Sequence, residues 1–430
     1  MTSLSPDSRR RDGPSLIWSA GLTTVLLLLV MAFAVGLYNA LSGLAIFPAS
    51  RELAISDGQM ALISGPIANV VRGLAGIFCG IFLDLISRKK VLAGLIGLVA
   101  IGIFVCSGAN NPTSFIAGGI GILIGLSAFG PGVYAFAGDA ISLSRLIWAI
   151  AAIQFVSSIP SLMPLVFQNG VKTMLTWGSG DGGFIGWRSL LSYLGLAALV
   201  VAAIPLLIPS FRLKPSWRLA GKDLQTNGKT LALLVAAMFL MGVALGMRTW
   251  APTFFVRTYS FPVQGFSTYF SRSLGGISIW LPACGPIFGA LLGTLCFPQR
   301  LEGFLKLSGA FLALGSILAA VFPLMPGAGP ALVGYSISSA AFGAAGTALI
   351  ASNIAIAPGK FRASTVATFL LFEGIGVAIS PIVAGAVIKN ESQVGLAISA
   401  ISFIGGGLAA ILTWSASKIV IDESRQAISG

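Results

Sequence analysis

The chain has 430 residues, 56% of them hydrophobic and only 9% charged. A soluble domain averages about 25% charged residues, so this composition cannot cover a soluble surface and the solvent is lipid. Histidine is absent, which excludes histidine metal sites, histidine-based triads and a histidine proton relay, and the net charge of +13 is read as membrane orientation rather than nucleic-acid binding.

Residues 1–14 form a polar tail holding Arg9, Arg10 and Arg11. The apolar run that follows is too long for a cleavable signal peptide. Apolar segments are predicted at 17–46, 58–83, 91–108, 114–137, 146–167 and 189–209. A polar stretch at 210–229 carries Arg212, Lys214, Arg218, Lys222 and Lys229. Further segments follow at 230–255, 267–295, 304–325, 330–355, 363–388 and 394–416. Each can cross a hydrocarbon core of about 30 Å as a helix that satisfies its own backbone bonds. The expected fold is therefore all-α, with twelve transmembrane helices. They divide into an N-terminal bundle at 15–209, a cytoplasmic linker at 210–229, a C-terminal bundle at 230–416 and a cytoplasmic tail at 417–430.

With the N-terminus inside, eighteen Lys and Arg fall on the inner side, five in outer loops and three within spans. That asymmetry places both termini in the cytoplasm of a cell whose inner membrane the chain crosses many times. The halves show a weak repeat. Ala128-Phe129-Gly130 recurs as Ala341-Phe342-Gly343, and the spacing of Arg145 to Pro164 recurs from Arg362 to Pro381. Cys79, Cys106, Cys284 and Cys296 all lie in apolar runs with no C-x-x-C spacing, and read as small core residues.

The stretch Gly80-Ile-Phe-Leu-Asp84-Leu-Ile-Ser-Arg88-Lys89-Lys90-Val-Leu92 is a burst of charge between two apolar runs, a tight cytoplasmic turn. Gly80 would let its helix approach a neighbour closely, and Asp84 can reach backbone N–H groups or a base. This pattern resembles the loop motif between helices 2 and 3 of the major facilitator superfamily, in skeleton only, because Leu83, Leu85 and Ser87 replace three of its residues. Gly186-Trp187-Arg188, Trp250-Ala-Pro-Thr253 and the run from Ala357 to Gly385 are similar to recurrent features of that family. The resemblance implies two six-helix bundles around a central cavity that opens alternately to each side. It also implies a gate in which Gly80, Asp84, Arg88, Asp139, Arg145 and Arg362 meet at the inner ends of the helices. Helix 5 lacks the motif of drug/proton antiporters, and Gly289 to Arg300 has no acid at the position matching Asp84.

Charges inside spans mark function. Arg72 lies about 18 Å into the membrane from Asp84, and Glu373 about 16 Å from Arg362, by helix rise. Given the fold that the resemblance implies, the two can pair across the seam between bundles. Three roles stay open: a latch made in one access state, an anion site in which Glu373 is counter-charge or proton carrier, or separate partners. Arg248 binds an anion with Arg72, attracts anions to the mouth, or snorkels; Arg272 is read as snorkelling. Tyr38, Asn39, Ser42, Tyr134, Gln154, Ser158 and Asn353 complete the candidate substrate contacts, with Ser352 beside Asn353. Pro131 should kink helix 4. Nitrate/nitrite porters of this family place a substrate-binding Arg in helix 2 and another in helix 8. Arg72 is similar in placement and Arg272 too shallow, so the subfamily is not assigned.

The function expected is secondary active transport of a small anionic solute by a monomer, with proton symport and no cofactor or metal. The alternatives are a polar neutral or zwitterionic solute, such as an amino acid or sugar, or a transport-inactive sensor. A phosphate-cradling G-x-x-x-x-G-K-[ST] loop is missing, which argues against direct ATP coupling. One centrally buried acid without histidine offers no enzyme centre. The outer loop at 168–187 reads as flexible, with a lid as the alternative.

Overall fold

A computed structural model describes residues 14–64, 66–166, 186–208, 228–261, 277–297, 300–357, 359–388, 390 and 393–429. The tail arginines Arg9 to Arg11, most of the outer loop 168–187, the linker bases up to Lys222, and Arg272 lie outside the described residues.

The described residues are helical, with no strand among them. In order they are α1 (Pro14–Glu52), α2 (Asp57–Ser64), α3 (Pro66–Leu85), α4 (Arg88–Ser107), α5 (Pro112–Ser127), α6 (Phe129–Ala140), α7 (Leu143–Val166) and α8 (Trp187–Leu207). The second half continues with α9 (Gly228–Gly246), a 3₁₀ turn (Met247–Trp250), α10 (Ala251–Tyr259), α11 (Ile277–Cys296) and α12 (Leu301–Val321). It ends with α13 (Ala328–Ile356), α14 (Arg362–Val387) and α15 (Gln393–Ser429). Ten stretches among the described residues are long and apolar enough to cross a membrane. Two shorter apolar helices, Arg145–Pro160 and Trp280–Cys296, coincide with the fifth and eighth expected segments. A multi-pass membrane protein is the reading these lengths support.

Prolines divide several expected segments. A proline lacks a donor and its ring crowds the carbonyl four residues back. Pro131 crowds Ser127, which is where α5 ends and α6 begins. Pro252 crowds Arg248, inside the 3₁₀ turn between α9 and α10. Pro66 opens α3 and separates it from α2. Asn111 caps α5, its side chain accepting from the Ser114 N–H at 2.8 Å, with Pro112 following.

Lipid is as apolar as leucine, so helices here associate through close packing at small residues rather than water release. Gly80 on α3 shows this. A Cβ there would lie 2.9 Å from both Ala367 Cβ and Ser364 Cα on α14. One apolar cluster, at the Asp84 end of the helices, combines residues from the first half (Leu83, Leu92, Ile147) with residues from the second (Ala290, Phe304, Ile354). At the Trp187 end the clusters are separate. One draws its buried residues from Ala45 to Leu194, the other from Met247 to Ile398. Among the described residues, one apolar cluster bridges the halves at the Asp84 end, and the clusters at the Trp187 end each stay within one half.

Candidate functional site

The Asp84 end is held by charge. Asp84, in the last turn of α3, accepts from the Ala363 N–H at 3.1 Å and from the Ser364 N–H and hydroxyl, each at 2.8 Å. These are unsatisfied donors at the start of α14, where the helix dipole also favours a carboxylate. Arg88 pairs with Asp84 at 3.0 Å and with Asp139 at the end of α6. Asp139 in turn takes a bond of 2.5 Å from Arg362, which is 1% exposed. Thus Asp84, Arg88, Asp139 and Arg362 are linked, and Gly80 supplies the close approach. Arg145 lies in the first turn of α7, with an exposed side chain. Ser364, which closes the cluster on α14, carries no charge and had no signal in the sequence.

Beyond this plug two voids open between the halves. One, of about 290 Å³, has Arg72 and Glu373 in its walls with Gly73, Gly130 and Leu371. The two charged residues sit at matching depth. A Cβ on Gly73 would lie 3.3 Å from Leu371 Cα, and one on Gly374 would lie 3.6 Å from the Asn69 carbonyl. Arg72 and Glu373, which can pair across the seam, form no ion pair in this state. Both described side chains face the void instead, the setting in which an intramembrane charge is tolerated.

The second void, of about 360 Å³, shares Arg72 and adds Tyr38, Asn39 and Ser42 from α1 and Thr249 from the 3₁₀ turn. Arg72 is the one charged residue among the described residues that line it. Asn69, one turn before Arg72, lines both voids. Asn69 and Thr249 are additions that the sequence did not mark. Neither carries a charge or a motif.

Tyr134 and Gln154 lie beside this region. The Tyr134 side chain is close to those of Gln154 and Glu373. The Gln154 oxygen accepts from the Thr347 hydroxyl at 2.7 Å, a bond from α7 to α13 that joins the halves. Ser158 spends its hydroxyl on the Gln154 carbonyl at 2.8 Å. Two candidates are elsewhere. Asn353 is 2% exposed on α13 and lines neither void. Arg248 lies with its guanidinium 5.9 Å over the Tyr335 ring, apart from Arg72. Arg248 and Thr249, adjacent on the 3₁₀ turn, line different cavities.

The Trp187 end carries its own knot. Glu52 accepts from the Trp187 indole at 2.6 Å and from Arg188 at 2.8 Å. Arg188 also donates to the Ser107 and Ala109 carbonyls at the end of α4, and lies 4.3 Å over the Trp187 ring. The indole and then the guanidinium hold the Glu52 carboxyl below the ordinary glutamate range. Every member of this knot belongs to the first half.

No family profile and no curated protein matches the sequence. Solved structures do match in shape. A major facilitator superfamily transporter, FucP, in the outward conformation, superposes with a TM-score of 0.70 over 92% of this chain and 99% of its own, at 16% identity. The chain has the major facilitator fold. The proton:xylose symporter XylE gives 0.66 over 93% of this chain and 96% of its own, at 15% identity. A bacterial homologue of the human lysosomal transporter Spinster, inward-facing and unoccupied, gives 0.51 over 96% and 98%, at 18% identity.

Proposed function

We propose that the chain is a secondary active transporter that moves a small anionic solute by alternating access, as a monomer in the cell inner membrane. In this reading twelve helices form two six-helix bundles, 15–209 and 230–416, joined by the linker 210–229, with both termini cytoplasmic. The Asp84 end is the cytoplasmic side, closed, and the Trp187 end is open. The separate clusters at that end and the linked charges at the other support this assignment. So does the higher superposition score with the outward FucP than with the inward-facing Spinster homologue.

One observation carries the choice of an anion. Among the described residues lining the void of about 360 Å³, Arg72 alone is charged, surrounded by hydroxyl and amide groups. Such a wall offers a carboxylate or inorganic anion one fixed guanidinium and several hydrogen bonds. Glu373, across the adjoining void, is the natural proton carrier for symport.

The test is uptake into proteoliposomes of a panel of small carboxylates, inorganic anions, sugars and amino acids, under an imposed pH gradient. Anion uptake should fall at least about tenfold in Arg72→Gln, the loss of about 1.4 kcal/mol or more of binding, with folded protein unchanged. Glu373→Gln should lose pH-driven uptake and keep exchange. Normal anion uptake by Arg72→Gln would remove the anion reading. A second reading, a polar neutral solute driven by protons, draws on Tyr38, Asn39, Ser42 and Asn69 in the same wall. It also accords with FucP, a fucose:proton symporter, and with XylE, a proton:xylose symporter. It predicts sugar uptake that survives Arg72→Gln but not Glu373→Gln.

A further inference from the structure

Arg248 faces a small cavity inside the second half of the chain, apart from the Arg72 voids. Its volume is about 20 Å³, above the roughly 10–15 Å³ that a water-sized occupant requires. Three elements meet there: the 3₁₀ turn with Arg248, α13 with Tyr335, Ser338 and Ser339, and α15 with Ser402. Ser339 is 3% exposed and Ser402 is 2% exposed. Ser338 spends its hydroxyl on the Gly315 carbonyl at 2.8 Å, whereas the Ser339 and Ser402 hydroxyls make no hydrogen bond to any described residue. The guanidinium lies over the Tyr335 ring and pairs with no described carboxylate; no acid is among the described residues that line the cavity.

A guanidinium keeps its charge in any protein environment. Half-buried against apolar helices, it favours a counter-charge on its cavity side, where two idle hydroxyls need an acceptor. A water molecule accepts hydrogen bonds but brings no charge. An anion does both. The volume admits one small ion and excludes a multi-atom organic acid. We propose that Arg248, Ser339 and Ser402 form a binding site for a single chloride-sized monovalent anion, which ties the 3₁₀ turn to α13 and α15. The site stands on these residues alone and does not depend on the transport reading or on what Arg72 binds.

The experiment uses the full chain purified in detergent in potassium gluconate, an anion too large for the cavity. Chloride or bromide then replaces gluconate at constant ionic strength while thermal unfolding is followed. The expected result is a saturable rise in melting temperature of about 2–4 °C for the wild type, as for any ligand that binds only the folded state. The rise should vanish in Arg248→Gln and shrink in the double variant Ser339→Ala/Ser402→Ala. The double variant keeps the charge and nearly all the volume, so it decides the matter if Arg248→Gln does not fold. A wild type indifferent to both halides overturns the proposal and leaves the cavity to water. A full halide response in the double serine variant overturns it too, because the ion would then be bound elsewhere.

Discussion

Arg362 and Asp139 are joined across the two halves of the chain. The Arg362 guanidinium, 1% exposed at the start of α14, donates to the Asp139 carboxylate at the end of α6 at 2.5 Å. A buried guanidinium that loses its carboxylate stays charged without that counter-charge, which costs about 3 kcal/mol. Asp139→Asn should therefore lower the melting temperature in detergent by several degrees. The double variant Asp139→Asn/Arg362→Gln should lose less than the two single losses added, because the stranded charge goes with its partner. Strict additivity in that cycle would mean the two side chains do not depend on each other.

Asp84 serves α14 in a different way, as an acceptor for the first N–H groups of a helix in the other half. Asp84→Asn keeps an oxygen for those donors but drops the attraction to Arg88 and to the helix dipole. Turnover in proteoliposomes should slow while the amount of folded protein holds. Asp84→Ala removes the cap as well and should unfold more easily by about 1 kcal/mol. Equal stability of the two variants would show that the backbone bonds carry no weight.

The charge burst from Gly80 to Leu92 made this end legible, because charge between apolar runs leaves few places for a helix end to be. Depth was legible too: counting helix rise from Asp84 and from Arg362 put Arg72 and Glu373 at one level, and they line one void. Rotation about the helix axis was not. Arg248, on a 3₁₀ turn four residues before Pro252, lines a different cavity from Arg72. Asn353 is a candidate contact on polarity alone, and it is buried on α13, in a helix with apolar and small residues on every side. Where all faces of a helix are apolar, hydrophobic periodicity cannot say which one is inside. Asn69, Thr249 and Thr347 escaped for a related reason. A Ser or Thr in such a helix can bond its own backbone carbonyl or reach a neighbouring helix, and the sequence does not say which.

The knot at the other end predicts a pH effect. Trp187 and Arg188 bond the ionised form of Glu52, so its folded pKa is below its unfolded value. The sign follows from linkage: the stabilisation is present in full above the unfolded glutamate pKa and is lost as pH falls through the depressed folded one. Glu52→Gln should thus melt lower than wild type at neutral pH, with the gap closing in acid below the ordinary glutamate range. Melting curves of both proteins across that range check it, and a gap that widens in acid would reverse the assignment.

Gly80 sets how tightly the two halves close. An added methyl would meet Ala367 Cβ and Ser364 Cα at 2.9 Å and the Ala363 carbonyl oxygen at 3.0 Å. Two of these are backbone atoms, which cannot swing aside as a side chain can, so α3 and α14 must part. Overpacking of this kind costs about 1–3 kcal/mol, and here it falls on the closed form of the Asp84 end alone. Gly80→Ala should therefore raise the population open at that end. Gly94→Ala is the control, since a methyl there meets nothing within 4 Å. In a background without native cysteines, Ala367→Cys, 1% exposed in this state, reports the opening. A maleimide applied from the Asp84 side should label it several times faster with Gly80→Ala than without, and no faster with Gly94→Ala. Equal labelling in all three proteins would mean that the seam yields elsewhere and that Gly80 does not control the closure.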